Sequence, residues 1–320
     1  MTFPLRSLAV LLLLHALAGA AHAYQFVRAS NPARTIVNSD SGSWRATFTD
    51  GSYTVRHAGP SRTFSEPVQS GVTAGTQTVT HNSYVRVMAS KWPAGGIPTD
   101  AQVDALLART DPDLFTVAFQ YVHGAPQVKV PDSSAYTGYR WESGDAAYGP
   151  DVGADFNDYL GLDWNYGSSW GGTDANETAE YGRLDCSGYV RMVFGYRLGL
   201  TLAKSGYERP SVAIARTSAL QADSAESIGV RIIAPGSSKP TSFGNLAPGD
   251  LVFFDSDGPD GEIDHVGIYL GVDNEGKDRV LSSRNSLLGP TMKDSASGSS
   301  PSILNGSGWM PSGLRSARRL

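Results

Sequence analysis

A single cysteine in 320 residues leaves no internal disulfide to form, so a disulfide-stapled scaffold is excluded. The chain also lacks a basic excess. Its 26 Lys and Arg stand against 31 Asp and Glu, a formal charge of −5, and no nucleic-acid partner is expected from that balance. Glycine and proline, at 36 and 18 residues, stay below the share that marks low-complexity sequence. Past the N-terminal segment no apolar run approaches the roughly 18 residues of a membrane span, so none is expected, and no internal repeat is present. What the chain does have is 40% hydrophobic residues against 18% charged, enough to bury a sizeable core.

The N-terminal segment reads as an address. Arg6 supplies a short basic region, Leu8 to Ala20 is apolar except for His15, and Ala21-His22-Ala23 is a small-x-small cleavage pattern before Tyr24. Residues 1–23 are therefore expected to be a secretory signal peptide, and the protein to be secreted or held in the cell envelope. In an oxidising compartment an unpaired thiol persists when it is buried, paired between chains, or used. That makes Cys186 the residue to explain.

Residues 24–123 form one sequence unit, a small α+β module of unassigned role. Short β-prone runs (Trp44–Phe48, Tyr53–Arg56, Tyr84–Met88) alternate with turn residues. Thr99 with Gln102 fits a capping box before an apolar stripe, and Asp111-Pro112 suits the start of a second helix. His57, His81 and His123 are scattered without metal-ligand spacing. Residues 124–153, rich in Gly, Pro, Ser, Asp and Tyr, read as a linker or long loop, and 154–320 as a second domain. A fragment from about 150 to 320 is then expected to fold alone.

Two places in that second domain carry chemistry. Asp185 sits where a helix N-cap belongs, and Tyr189, Val190, Val193, Phe194 and Arg197 repeat at helical spacing until Gly199. Cys186 thus falls in a first helical turn, where unpaired N–H groups favour thiolate over thiol. A thiol nucleophile needs a base, and the sole histidine of the C-terminal half is His265. It opens an alternating run in which His265, Gly267 and Tyr269 share one strand face and Val266, Ile268 and Leu270 the other.

Four stretches, in order, resemble the NlpC/P60 cysteine peptidases of bacterial cell walls: Asp185–Gly188, Arg216–Gln221, Leu246–Phe254 and His265–Gly271. The resemblance covers roughly 160–285. It implies an α+β, papain-like core with the Cys-bearing helix packed on an antiparallel sheet. It also implies hydrolysis of peptidoglycan stem peptides, with no metal or organic cofactor. The family's third catalytic residue is usually a second His in the following strand. Ser282 aligns with that position here, with Asn285 as its competitor. Where the family often has Tyr before Trp/Tyr-Gly-Gly, this chain reads Trp164-Asn165-Tyr166-Gly167-Ser168.

Asp255, Asp257, Asp260, Glu262 and Asp264 form an acidic loop whose EF-hand-like spacing is broken by Pro259, so a solvated turn is expected before a calcium loop. Trp164, Tyr166, Trp170 and Trp309 are candidates for either a groove or the core. The leading expectation is an exported cysteine endopeptidase using Cys186, His265 and Ser282. A thiol acyltransferase or amidase on the same scaffold, or a catalytically weak wall-binding module, are the alternatives.

Overall fold

The computed structural model describes residues 23–149, 156–165, 172–203, 213–222, 228–258 and 260–320. Residues 1–22 of the expected signal peptide, together with Tyr166, Trp170 and Pro259, lie outside these. The mixture of helices and strands is that of an α+β protein. Among the described residues, no helix is long and apolar enough to cross a membrane.

The first unit is an antiparallel sheet of strands β1 (Tyr24–Ala29), β2 (Arg34–Ser39), β3 (Trp44–Thr49), β4 (Thr54–Phe64) and β5 (Val79–Val87), in that spatial order. Helix α1 (Asp100–Leu107) begins with the expected capping box: the Thr99 hydroxyl accepts from the Gln102 amide while the Gln102 side chain accepts from Thr99. It closes one side of the sheet by burying Val103 and Leu106 with Val37, Phe48 and Val55. Helix α2 (Leu114–Ala118) starts two residues later than expected, because Asp113 rather than Asp111 is its N-cap. Asp113 has more to hold there: its carboxylate also pairs with Arg62 and accepts from the Val85 amide. The stretch expected as a linker contains a hairpin, β6 (Val128–Pro131) with β7 (Tyr139–Ser143).

The second sheet is antiparallel throughout and six-stranded. Its strands are β8 (Val230–Ile233), β9 (Leu251–Phe254), β10 (His265–Val272), β11 (Asp278–Arg284), β12 (Gly289–Thr291) and β13 (Leu314–Arg319), arranged β8-β13-β9-β10-β11-β12. Helix α3 (Cys186–Val190) packs on β10 and β11, then continues as a π-helix over Arg191–Arg197. The alternation read in β10 holds. Val266, Ile268 and Leu270 pack with α3, and Tyr269 joins Val252, Phe254, Val280 and Leu314 on the opposite face. Both faces are covered, which explains why β9 is apolar at every position.

The change in sequence character near residues 124–153 does not divide the core. Leu114, Phe115, Val117 and Tyr121 share one buried cluster with Tyr189, Val190, Val193, Phe253 and Ile268. Tyr189 donates to the Ala118 carbonyl at 2.8 Å, and Glu66 accepts from the Met292 and Lys293 amides at 2.9 and 3.0 Å. A chain beginning at 150 would expose the surface that α2 covers, so cooperative folding of that fragment is no longer expected. Phe115→Ala should cost about 3–5 kcal/mol and shift one unfolding transition, followed both by tryptophan fluorescence and by labelling of Cys186. Two separated transitions, with only the earlier one shifted, would show independent halves.

Candidate active site

Cys186 is the first residue of α3, and Asp185 caps it by accepting from the Gly188 amide and, at 2.9 Å, from the Ser187 hydroxyl. Packing of α3 against Val266 and Ile268 brings the sulfur to the start of β10, 3.8 Å from the Asp264 carbonyl. The thiol is only 7% exposed. Burial pushes its pKa above the usual thiol value and the Asp185 carboxylate adds to this, while the Val266 and Ser187 amides act the other way. The helix start does favour thiolate, as expected, but a capping carboxylate already occupies it and desolvation outweighs it.

His265 opens β10 opposite Phe254, the last residue of β9. Its ring packs against Phe254 at 5.8 Å and edge-on to Trp309 at 5.4 Å between centroids. The Arg284 guanidinium lies on Trp309, 5.5 Å from its ring centre. Burial first, and the Arg284 charge after it, lower the His265 pKa to about 3 against an opposing effect of Asp264. His265 Nε2 has no hydrogen-bond partner among the described residues, so no bond from it reaches Cys186. At neutral pH the two groups are a neutral thiol and a neutral imidazole, not an ion pair.

Both nevertheless line one cavity of about 540 Å³, with Tyr148, Ser256, Asp257, Asp264, Arg284, Asn285, Ser286, Ser300 and Trp309. Ser282 is not on its wall. It is fully buried in β11, and its hydroxyl has no partner among the described residues, so the expected bond to His265 is not made. Gly267 is required beside it: a Cβ there would meet Val280 Cγ1 at 2.4 Å and Ser282 Cβ at 3.1 Å. Asn285, the competitor for the third position, is exposed and does line the cavity.

The residue that sequence reasoning missed is Tyr148. The stretch read as a linker carries it, and no pattern in that stretch marks it. Residues 147–149 run beside 182–184, joined by Ala147 N to Gly182 O at 2.8 Å and Leu184 N to Ala147 O at 2.9 Å. This places Tyr148 on the same cavity wall as Cys186, and burial, with the nearby Cys186 and Asp185, pushes the phenol up to about 12, leaving it a proton donor at neutral pH. Of the candidate aromatics, Trp309 belongs to the cavity wall, whereas Trp164 packs edge-on against Phe156 at 4.7 Å.

The acidic loop is organised by its own carboxylates. Asp264 accepts from the Ser256 amide at 2.9–3.0 Å and from the Asp257 amide at 2.8 Å, and Asp255 pairs with Arg315 at 3.1 Å. Asp255, Asp257 and Asp264 each offer an oxygen within 4.8 Å of the others, and a hydrogen bond to Asp264 holds the Asp257 carboxyl above its usual range.

Cys186, His265 and Ser282 all fall inside one segment that matches a family model. Residues 165–291 match the NlpC/P60 family. Tyr148 and Trp309 lie outside the matched stretch. A solved structure of an NlpC/P60 family protein from Bacillus cereus is similar over 44% of this chain and 32% of its own, with 22% identity and a TM-score of 0.27. The chain thus spans about a third of that protein's length. No curated protein matches the chain.

The neutral thiol has a direct consequence. Iodoacetamide should alkylate native Cys186 with a pH midpoint above the roughly 8.5 of a free thiol, and more slowly than in the urea-unfolded chain. A midpoint below pH 7 would show a resting thiolate instead.

Proposed function

We propose that this protein is an exported cysteine peptidase that hydrolyses peptide bonds in peptidoglycan stem peptides. The observation that carries the reading is the meeting on one cavity of the chain's one thiol and its sole C-terminal-half histidine, both of which lie in the segment that matches the NlpC/P60 family.

Because both groups rest neutral, His265 acts as a general base. With substrate in the cavity the ring takes the thiol proton while Sγ attacks the carbonyl carbon. The tetrahedral oxyanion is met by the Cys186 backbone N–H and the Tyr148 hydroxyl. Collapse breaks the C–N bond, and the ring's proton passes to the leaving amine. Water, deprotonated by the same ring, then hydrolyses the thioester and restores the thiol. Ser282 holds the third position. Its unpartnered hydroxyl does not restrain the ring at rest, and this favours slow turnover or, as a second reading, a wall-binding module with a weak site.

Incubation with purified peptidoglycan should release peptide fragments identifiable by mass spectrometry, and Cys186→Ala or His265→Ala should abolish release. Tyr148→Phe should cost about 10²-fold in kcat, and Ser282→Ala less than about threefold, since a hydroxyl without a partner contributes little. Fragments released equally by Cys186→Ala would remove the thiol from the reaction. The acid limb of kcat/KM should lie well below the roughly 6.5 of ordinary imidazole. Protonation disables the base, and this ring resists protonation down to a pH of about 3. An acid limb near 6.5 would mean a solvated, ordinary His265.

A further inference from the structure

The Cys186 cavity does not end at its own wall. A second cavity of about 570 Å³ adjoins it, sharing Tyr148 and Asn285, and is lined further by Gln69, His123, Asp145, Ala147, Arg183 and Leu288. Tyr148 and Asn285, common to both walls, form a waist between the two cavities. Three segments are tied together there. The 147–149 segment runs beside 182–184, and the Tyr148 amide donates to the Leu288 carbonyl at 3.0 Å. At Gly289 a Cβ would lie 2.1 Å from the Ala146 carbonyl oxygen, so the close approach that shapes the waist requires glycine. Gln69, His123 and Asp145 bring residues from outside the family-matched segment into this far half.

The groove is charged unevenly. Arg183 is half-buried on the far wall, with no carboxylate partner among the described residues and one long hydrogen bond to the Tyr148 carbonyl at 3.4 Å. Most of its five donors are thus left over. Arg284, on the near wall, also lacks a carboxylate partner among the described residues and bonds only to the Pro301, Lys293 and Ser300 carbonyls. The far cavity's own carboxylate, Asp145, is already engaged by His123 Nδ1 at 2.9 Å and the Gly124 amide at 3.0 Å. Asp257 and Asp264 line the opposite end of the groove and repel an anion from it. Arg284 is buried and feels the charges of Asp294 and Glu66, which leaves Arg183 as the guanidinium with donors to spare in a chain of formal charge −5.

We propose that the far cavity is a binding subsite for a peptide carboxylate, anchored by Arg183, so that substrate lies across the waist with its scissile carbonyl at Cys186. A carboxylate would take two N–H donors from the guanidinium fork, the geometry that makes such pairs strong and directional. Arg183 is thereby a specificity residue that touches substrate away from the reacting atoms. The peptide's identity as a wall stem peptide rests on the peptidase reading; the recognition of a carboxylate does not.

The test uses the full chain carrying Cys186→Ala and titrates it calorimetrically with two synthetic stem tetrapeptides, one with free carboxylates and one capped as carboxamides. The free form should bind about tenfold tighter or more, with the advantage shrinking as salt is raised. Arg183→Gln added to that chain should reduce the discrimination to less than twofold, and Arg183→Lys should retain part of it. Equal affinity for the two peptides in the chain that keeps Arg183, or no binding of either, overturns the subsite without depending on any variant's folding. Discrimination in binding without cleavage of either peptide by the unmodified protein would instead sink the peptidase reading and leave the subsite standing. Cleavage of both peptides at equal kcat/KM would do the reverse.

Discussion

Packing of the Cys-bearing helix on one face of the second sheet is the constraint from which the site follows. Tyr189, Val190 and Val193 bury with Val266, Ile268 and Leu281, and this contact seats the helix start over the start of β10. Because the contact is apolar and both partners are fully buried, the helix has little freedom to slide. The N-terminal half reinforces the arrangement through α2, which packs on the far part of the same helix. It also contributes to the groove through Gln69 and His123.

The same burial that fixes the geometry sets the electrostatics. A thiol and an imidazole removed from water both prefer their neutral forms, and here the local charges add to that preference: Asp185 beside the thiol, Arg284 beside the ring. An ion pair would need the two groups in contact and a partner to hold the imidazolium. At rest the Cys186 sulfur bonds to the Asp264 carbonyl, and His265 Nε2 and the Ser282 hydroxyl are both without partners among the described residues. The ring is held instead by Phe254 and Trp309, which fix its position by shape and leave its protons to the substrate-filled state.

Much of this could be read from the residues. The capping box at Thr99, the alternation in β10 and the helix start at Asp185 are local signals, written by side chains next to the backbone groups they satisfy. The pairing of Cys186 with His265 on one cavity was legible too, because one thiol and one nearby histidine left few choices. What could not be read were the effects of distant packing. The N-cap of α2 is Asp113, whose carboxylate also holds Arg62 and the Val85 amide from the distant sheet. Tyr148 reached the site because a loop-like stretch pairs with 182–184. The thiol's raised pKa came from burial that a helix-terminus argument does not include.

The most direct measurement is to capture the covalent intermediate. Mixing the protein with stem peptide and quenching in acid within the first turnover should leave a mass increase equal to the acyl fragment, confined to the proteolytic peptide that contains Cys186 and lost on treatment with hydroxylamine. Product release with no adduct at Cys186, or an adduct on any other residue, would contradict the thioester mechanism.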